Sequence, residues 1–138
     1  ESRDIKMSTF HVRVVTPHGV YREWDTAILN IQTSDGDQGI LANHMPLVTM
    51  LKIGKMTSDI DGKREEFAVA GGLFYFRENL AEVLTDAIEN KVDIDIARAE
   101  KSKERAEERL RKADPSIDIK RAEVSLKKAM NRLSVGGK

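Results

Sequence analysis

The chain has 138 residues and a formal net charge of zero, from 23 basic and 23 acidic side chains, and it contains no cysteine. That length suits one medium domain or two small ones. The charge balance removes long-range attraction to nucleic acid or anionic lipid as a default, and the missing thiols exclude disulfides and thiolate metal sites. No apolar run approaches the roughly 20 residues of a membrane helix and no secretory signal is recognisable, so a soluble, cytoplasmic-side protein without membrane insertion is expected. Residues 1–6 precede Met7 and read as a tag remnant or a disordered end.

Two halves differ in composition. All seven aromatics lie at or before Phe76, and no glycine occurs between Leu73 and Val135. The break places a β domain over residues 7–90 and a helical domain over 91–138.

The first half reads as closely spaced short strands. Residues 11–16 alternate and stop at Pro17-His18-Gly19. Residues 27–33 carry Ile28, Leu29 and Ile31, and residues 47–51 follow Pro46. Segments 55–60 and 63–70 flank Asp61-Gly62, a favoured hairpin turn, and 73–77 and 80–85 flank Glu78-Asn79. The predicted architecture is a flattened β-sandwich or barrel of about ten short strands, followed by an antiparallel α-helical hairpin.

The second half carries helical periodicity. Asp93 is a candidate cap for a first helix reaching about Lys112, with Ala99, Ala106 and Leu110 on one face. Asp114-Pro115-Ser116 breaks it, and Ser116 or Asp118 can cap a second helix. There Ile119, Ala122, Leu126, Ala129 and Leu133 form an apolar stripe. The pairs Glu107–Arg111, Glu108–Lys112 and Glu123–Lys127 support the helices locally by roughly 0.2–0.5 kcal/mol each. The alanine-rich stripes bury little area, so the sequence predicts helices that are locally favoured but pack weakly on each other, a mobile element able to leave its dock without melting.

An ordered set of motifs then carries a family resemblance. Val14-Val15-Thr16-Pro17-His18-Gly19, the run from Asp35 through Gly39-Ile40 to Pro46-Leu47, Phe67-Ala68-Val69-Ala70-Gly71-Gly72, and Val83-Leu84-Thr85-Asp86-Ala87 come first. Ile94-Asp95-Ile96-Ala97-Arg98-Ala99 and Ala129-Met130-Asn131-Arg132-Leu133 follow. Together they resemble the epsilon subunits of bacterial F-type ATP synthases, in their bacillus-like branch, over residues 7–138. Ala42-Asn43 stands where many relatives carry Pro-Gly; Asn tolerates positive φ, so the turn can survive.

The resemblance implies a non-catalytic rotor subunit of a proton-translocating ATP synthase, peripheral on the cytoplasmic face of the cell membrane. Its implied partners are the gamma subunit, the c-subunit ring and, when the hairpin extends, the alpha/beta catalytic head. Asp37 and His44 align with the family's rotor contact. No cofactor is required, but ATP is implied as a regulatory ligand of the folded hairpin, held by Ile94, Asp95, Arg98 and Ala99 with Glu89, Lys128 and Arg132. Lys128 stands where relatives have arginine; a point charge in place of a planar fork implies weaker binding. Lys120, Arg121, Lys127, Lys128 and Arg132 form the basic face implied to meet the head.

Read without the resemblance, the same residues have plainer roles. The loop around Asp37 is a polar turn, Asp95 and Arg98 are a helix pair at a helix start, and the basic run is a solvated face. No Walker-type phosphate loop occurs, and His11, His18 and His44 lack metal-like spacing. No nucleophile and base set stands out. The alternative class is a stand-alone β-sandwich binding module with a helical interaction tail.

Overall fold

The computed structural model describes residues 8–112 and 114–137; the reading of residues 1–6 falls outside them. The elements are β1 (Phe10–Thr16), β2 (Gly19–Thr26), β3 (Ile28–Thr33), β4 (Gly36–Leu41), β5 (Leu47–Ile60), β6 (Lys63–Arg77), β7 (Leu80–Leu84) and β8 (Ile88–Asn90). A short 3-10 turn (Lys91–Asp93) leads into α1 (Ile96–Lys112) and α2 (Ile119–Gly136).

The strands form one sheet in the order β2-β1-β7-β6-β5-β3-β4, with β8 paired to β6. Alternation drives it: Phe10, Val12 and Val14 of β1, Leu29 and Ile31 of β3, and Ala81 and Val83 of β7 all turn inward. The sheet folds back on itself. Trp24 of the terminal strand β2 stacks on Phe67 of β6 with centroids 5.6 Å apart, and its indole N–H donates to Ser58 of β5 at 2.9 Å. Beside it the Arg22 guanidinium donates twice to Glu65, at 2.9 and 3.1 Å, and holds that carboxyl below its usual pKa range. Phe67, Phe74, Phe76, Leu29, Ile31, Ile40 and Met56 fill the space between the layers.

The described residues carry eight strands rather than about ten. Segments expected to be separate are continuous, since β5 and β6 keep one register from Leu47↔Phe76 to Ile60↔Lys63, with only the pair at Lys52 and Gly71 left out. The double glycine that suggested an interruption does something else. At Gly71 (φ 83°) and Gly72 (φ 128°) β6 exchanges one neighbour, β8, for another, β7. A Cβ on Gly72 would run into the Leu84 carbonyl, so only glycine fits there. Both expected hairpin turns have positive φ at each central residue: 51° and 82° at Asp61-Gly62, 51° and 60° at Glu78-Asn79.

In the hairpin the alanines at 99, 106, 122 and 129 are buried, letting the helices approach closely. Asp95, not Asp93, caps α1, accepting from the Arg98 N–H at 3.0 Å. The earlier turn takes its own cap from Asn90, which accepts from the Val92 N–H, and this delays the helix. Asp118 caps α2 through the Arg121 N–H. The hairpin docks on the sheet through few contacts. Ile94, Val135 and Ala68 form a small cluster with Ile96. The Asn131 amide donates to the Gly54 carbonyl at 2.9 Å, and Arg132 pairs with Glu89.

Candidate functional site

The space left between hairpin and sheet is a cavity of about 420 Å³. Its floor is apolar, from Ile53, Ala68 and Ala70 on the strands. Its polar rim comes from both helices and β8: Arg98 and Ser102 of α1, Lys128, Asn131 and Arg132 of α2, and Glu89. The sheet places Glu89 there because Ile88 and Asn90 of β8 turn inward, leaving Glu89 on the hairpin side. Helical spacing puts Arg98 with Ser102, and Lys128 with Arg132, on single faces one turn apart.

Four of the seven expected ligand residues therefore meet in one cavity: Glu89, Arg98, Lys128 and Arg132. Three cations face one carboxylate, so the cavity favours an anion. Arg132 and Glu89 are already joined, while Arg98 and Lys128 make no side-chain hydrogen bond or ion pair among the described residues. The other three residues lie outside the lining. Asp95 is exposed and occupied as the cap of α1, Ala99 is buried between the helices, and Ile94 packs in the docking cluster. These three shape the helix start rather than the cavity wall.

The expected basic face divides in two. Lys120, Arg121 and Lys127 are exposed, whereas Lys128 and Arg132 are half-buried and turned to the cavity.

Asp37 sits in strand β4, opposite Gln32, rather than in a loop. Only Ile40 of β4 is buried, which left this strand, like the mostly exposed β2, without a readable alternation. His44 lies in the following loop, edge-on to Phe76 at 5.7 Å, with its Nδ1 donating to the Met45 carbonyl at 2.8 Å.

Sequence reasoning missed a further surface. The cross-strand partners Met50↔Leu73, Leu73↔Leu84, Val15↔Leu84 and Val15↔Val20 line up an apolar row across five strands, β5-β6-β7-β1-β2. It faces away from the core; Met50 and Val20 are exposed, as is Val48 nearby. The signal was present as the outward half of each alternation, but only strand register aligns it.

Among the described residues no helix is long and apolar enough to cross a membrane, and no cluster of His, Asp or Glu is placed to hold a metal.

Comparison with known proteins agrees with this two-part build. Residues 9–91 match the family described as "ATP synthase, Delta/Epsilon chain, beta-sandwich domain", and residues 93–137 match its "long alpha-helix domain". An "ATP synthase epsilon chain" of Halalkalibacterium halodurans is 43% identical over 133 residues, covering 96% of this chain and all of that one. That of Bacillus pumilus is 40% identical over 132 residues, again covering 96% of this chain and all of its own. A chain in the cryo-EM structure of the Euglena gracilis mitochondrial ATP synthase (OSCP/F1/c-ring) superposes with a TM-score of 0.80. It is 18% identical and matches 97% of this chain and 86% of its own, a likeness of fold. With both domains matched in order and relatives aligned nearly end to end, the chain belongs to the delta/epsilon family of ATP synthase subunits.

Proposed function

We propose that the chain works as a non-catalytic epsilon subunit in the central stalk of a bacterial F-type ATP synthase, with a docked hairpin that responds to ATP. The observation carrying the regulatory part is the cavity whose cations come from both helices and whose fourth charged residue comes from the sheet. A ligand that bridges α1, α2 and β8 has contacts only the docked state can supply, so it favours docking by its differential affinity.

Arg98, Lys128 and Arg132 suit phosphate oxygens, and the apolar floor suits the remainder of a nucleotide. Undocking frees Lys128 and Arg132 to join Lys120, Arg121 and Lys127 as one basic face for the alpha/beta head. There the extended hairpin opposes rotation in the hydrolysis direction. In the β domain the apolar row is the surface for the gamma shaft, and Asp37 and His44 meet the c-ring. The complex holds the chain peripherally at the cytoplasmic face of the membrane.

The energetics give a graded response. ATP at 100 times its Kd favours docking by about 2.7 kcal/mol, short of the roughly 5.5 kcal/mol that inverts a 1:99 preference. The test is isothermal titration of ATP into the wild-type chain and Arg98→Ala. Heat with wild type and a weakened isotherm with the variant are expected; no heat at millimolar ATP overturns the proposal.

A further inference from the structure

Two asparagines hold each other across the edge of the β domain. Asn43, in the loop between β4 and β5, and Asn79, in the β6–β7 turn, both adopt left-handed backbone, with φ 67° and 60°. The Asn43 backbone N–H donates to Asn79 Oδ1 at 2.6 Å, and Asn79 Nδ2 donates back to Asn43 Oδ1 at 3.1 Å. The Asn79 carbonyl also accepts from the His11 N–H at 2.9 Å. One residue thus ties the start of β1, its own turn and the 42–46 loop together.

We infer that Asn79 is a positioning residue: its amide fixes the loop so that His44 and Met45 are presented, already ordered, to the rotor. This rests on the rotor reading above. The rest of the loop is pinned in the same sense. The His44 N–H donates to the Leu41 carbonyl at 3.2 Å, and the imidazole is held between the Met45 carbonyl and the Phe76 edge. The result is an apolar tip, with Met45 77% exposed beside exposed Leu41, held out from the body by a clamp. Exposed loop tips are ordinarily mobile, and an apolar one is a contact surface more often than a solvent face. Ordering it in advance removes that entropic cost from assembly.

A plain turn role for Asn79 makes the opposite prediction. Glycine is at least as good as asparagine at this turn position, so Asn79→Gly keeps the turn and removes only the amide. The experiment uses the full chain with Asn79→Gly, Asn43→Gly and the double variant. It measures affinity for a gamma–c-ring assembly lacking this subunit, the thermal midpoint, and amide order parameters at His44 and Met45 in the free protein. Expected are a Kd raised about fivefold to tenfold in Asn79→Gly, an unchanged or higher midpoint, and order parameters falling toward about 0.6. The double variant is expected to lose no more than Asn79→Gly alone, because that change already removes both bonds between the two residues. Wild-type affinity in Asn79→Gly, or unchanged order parameters, overturns the positioning role. Wild type failing to bind the assembly overturns the rotor reading instead, and the order parameters then judge the clamp alone.

Discussion

Arg132 of α2 clasps Glu89 of β8, its Nε donating to Oε1 at 2.6 Å and its Nη2 to Oε2 at 3.4 Å. This is the one ion pair between hairpin and sheet among the described residues, and it lies on the wall of the cation-rich cavity.

Arg132→Ala is expected to loosen docking without unfolding either part. The pair is partly exposed, so a net loss of about 1 kcal/mol is expected. Hydrogen exchange checks it: amides of α2 should exchange several-fold faster while those of β1 and β7 stay as they were. Equal acceleration in both would mean that hairpin and sheet unfold as one unit.

Gly136 offers a second way to bias the hairpin. A Cβ there would sit 3.0 Å from Ile94 Cβ and Cγ2 and from Ile96 Cδ1. Gly136→Val should push the end of α2 off this cluster at a cost of about 1–3 kcal/mol. Heat of ATP binding should fall, although Arg98, Lys128 and Arg132 are untouched; retained wild-type heat would show that the cavity forms without this closure.

The pH dependence of the β domain should carry the mark of His11. Its ring donates to Glu23 at 2.7 Å and to Asp25 at 2.8 Å, and the bond to Glu23, with Asp25 second, raises its pKa above the ordinary histidine value. A raised pKa in the folded state means stabilisation fully present below the unfolded value near 6.5 and lost as pH rises through the folded value. Glu23 carries the reciprocal effect, a carboxyl held low chiefly by His11, whose contribution disappears as acid protonates it. The midpoint difference between wild type and His11→Gln should therefore be largest in mildly acidic solution and shrink by pH 9. A difference that grows with pH would reject the pairing.

Much of this molecule was legible in its sequence because its physics is local. The I′ turn at Asp61-Gly62 and the helix stripe through Ala122 and Ala129 are determined within a few residues. The departures come from partners distant in the chain. Gly71-Gly72 reads as an interruption until β8 and β7 are seen to exchange places beside it. The strands β2 and β4 bury few residues, Trp24 and Thr26 in one and Ile40 in the other, because an edge strand need not alternate along its whole length. In the cavity, the residues that came together were the long charged ones at helical spacing; Asp95 was claimed by its own helix start.

Asn90 gives the chain a fixed post. Its side chain donates to Glu65 at 2.7 Å while accepting from the Val92 N–H, so the sandwich grips the polypeptide one residue beyond the Glu89 clasp. Breaking that clasp leaves this grip in place. Were the helices to reorient, the change would be confined to the few torsions between Val92 and Asp95, and a 17-residue α1 would sweep an arc about 25 Å in radius from that pivot. A short leash on a long lever converts small torsional changes into large displacements at the far tip, without any strand letting go.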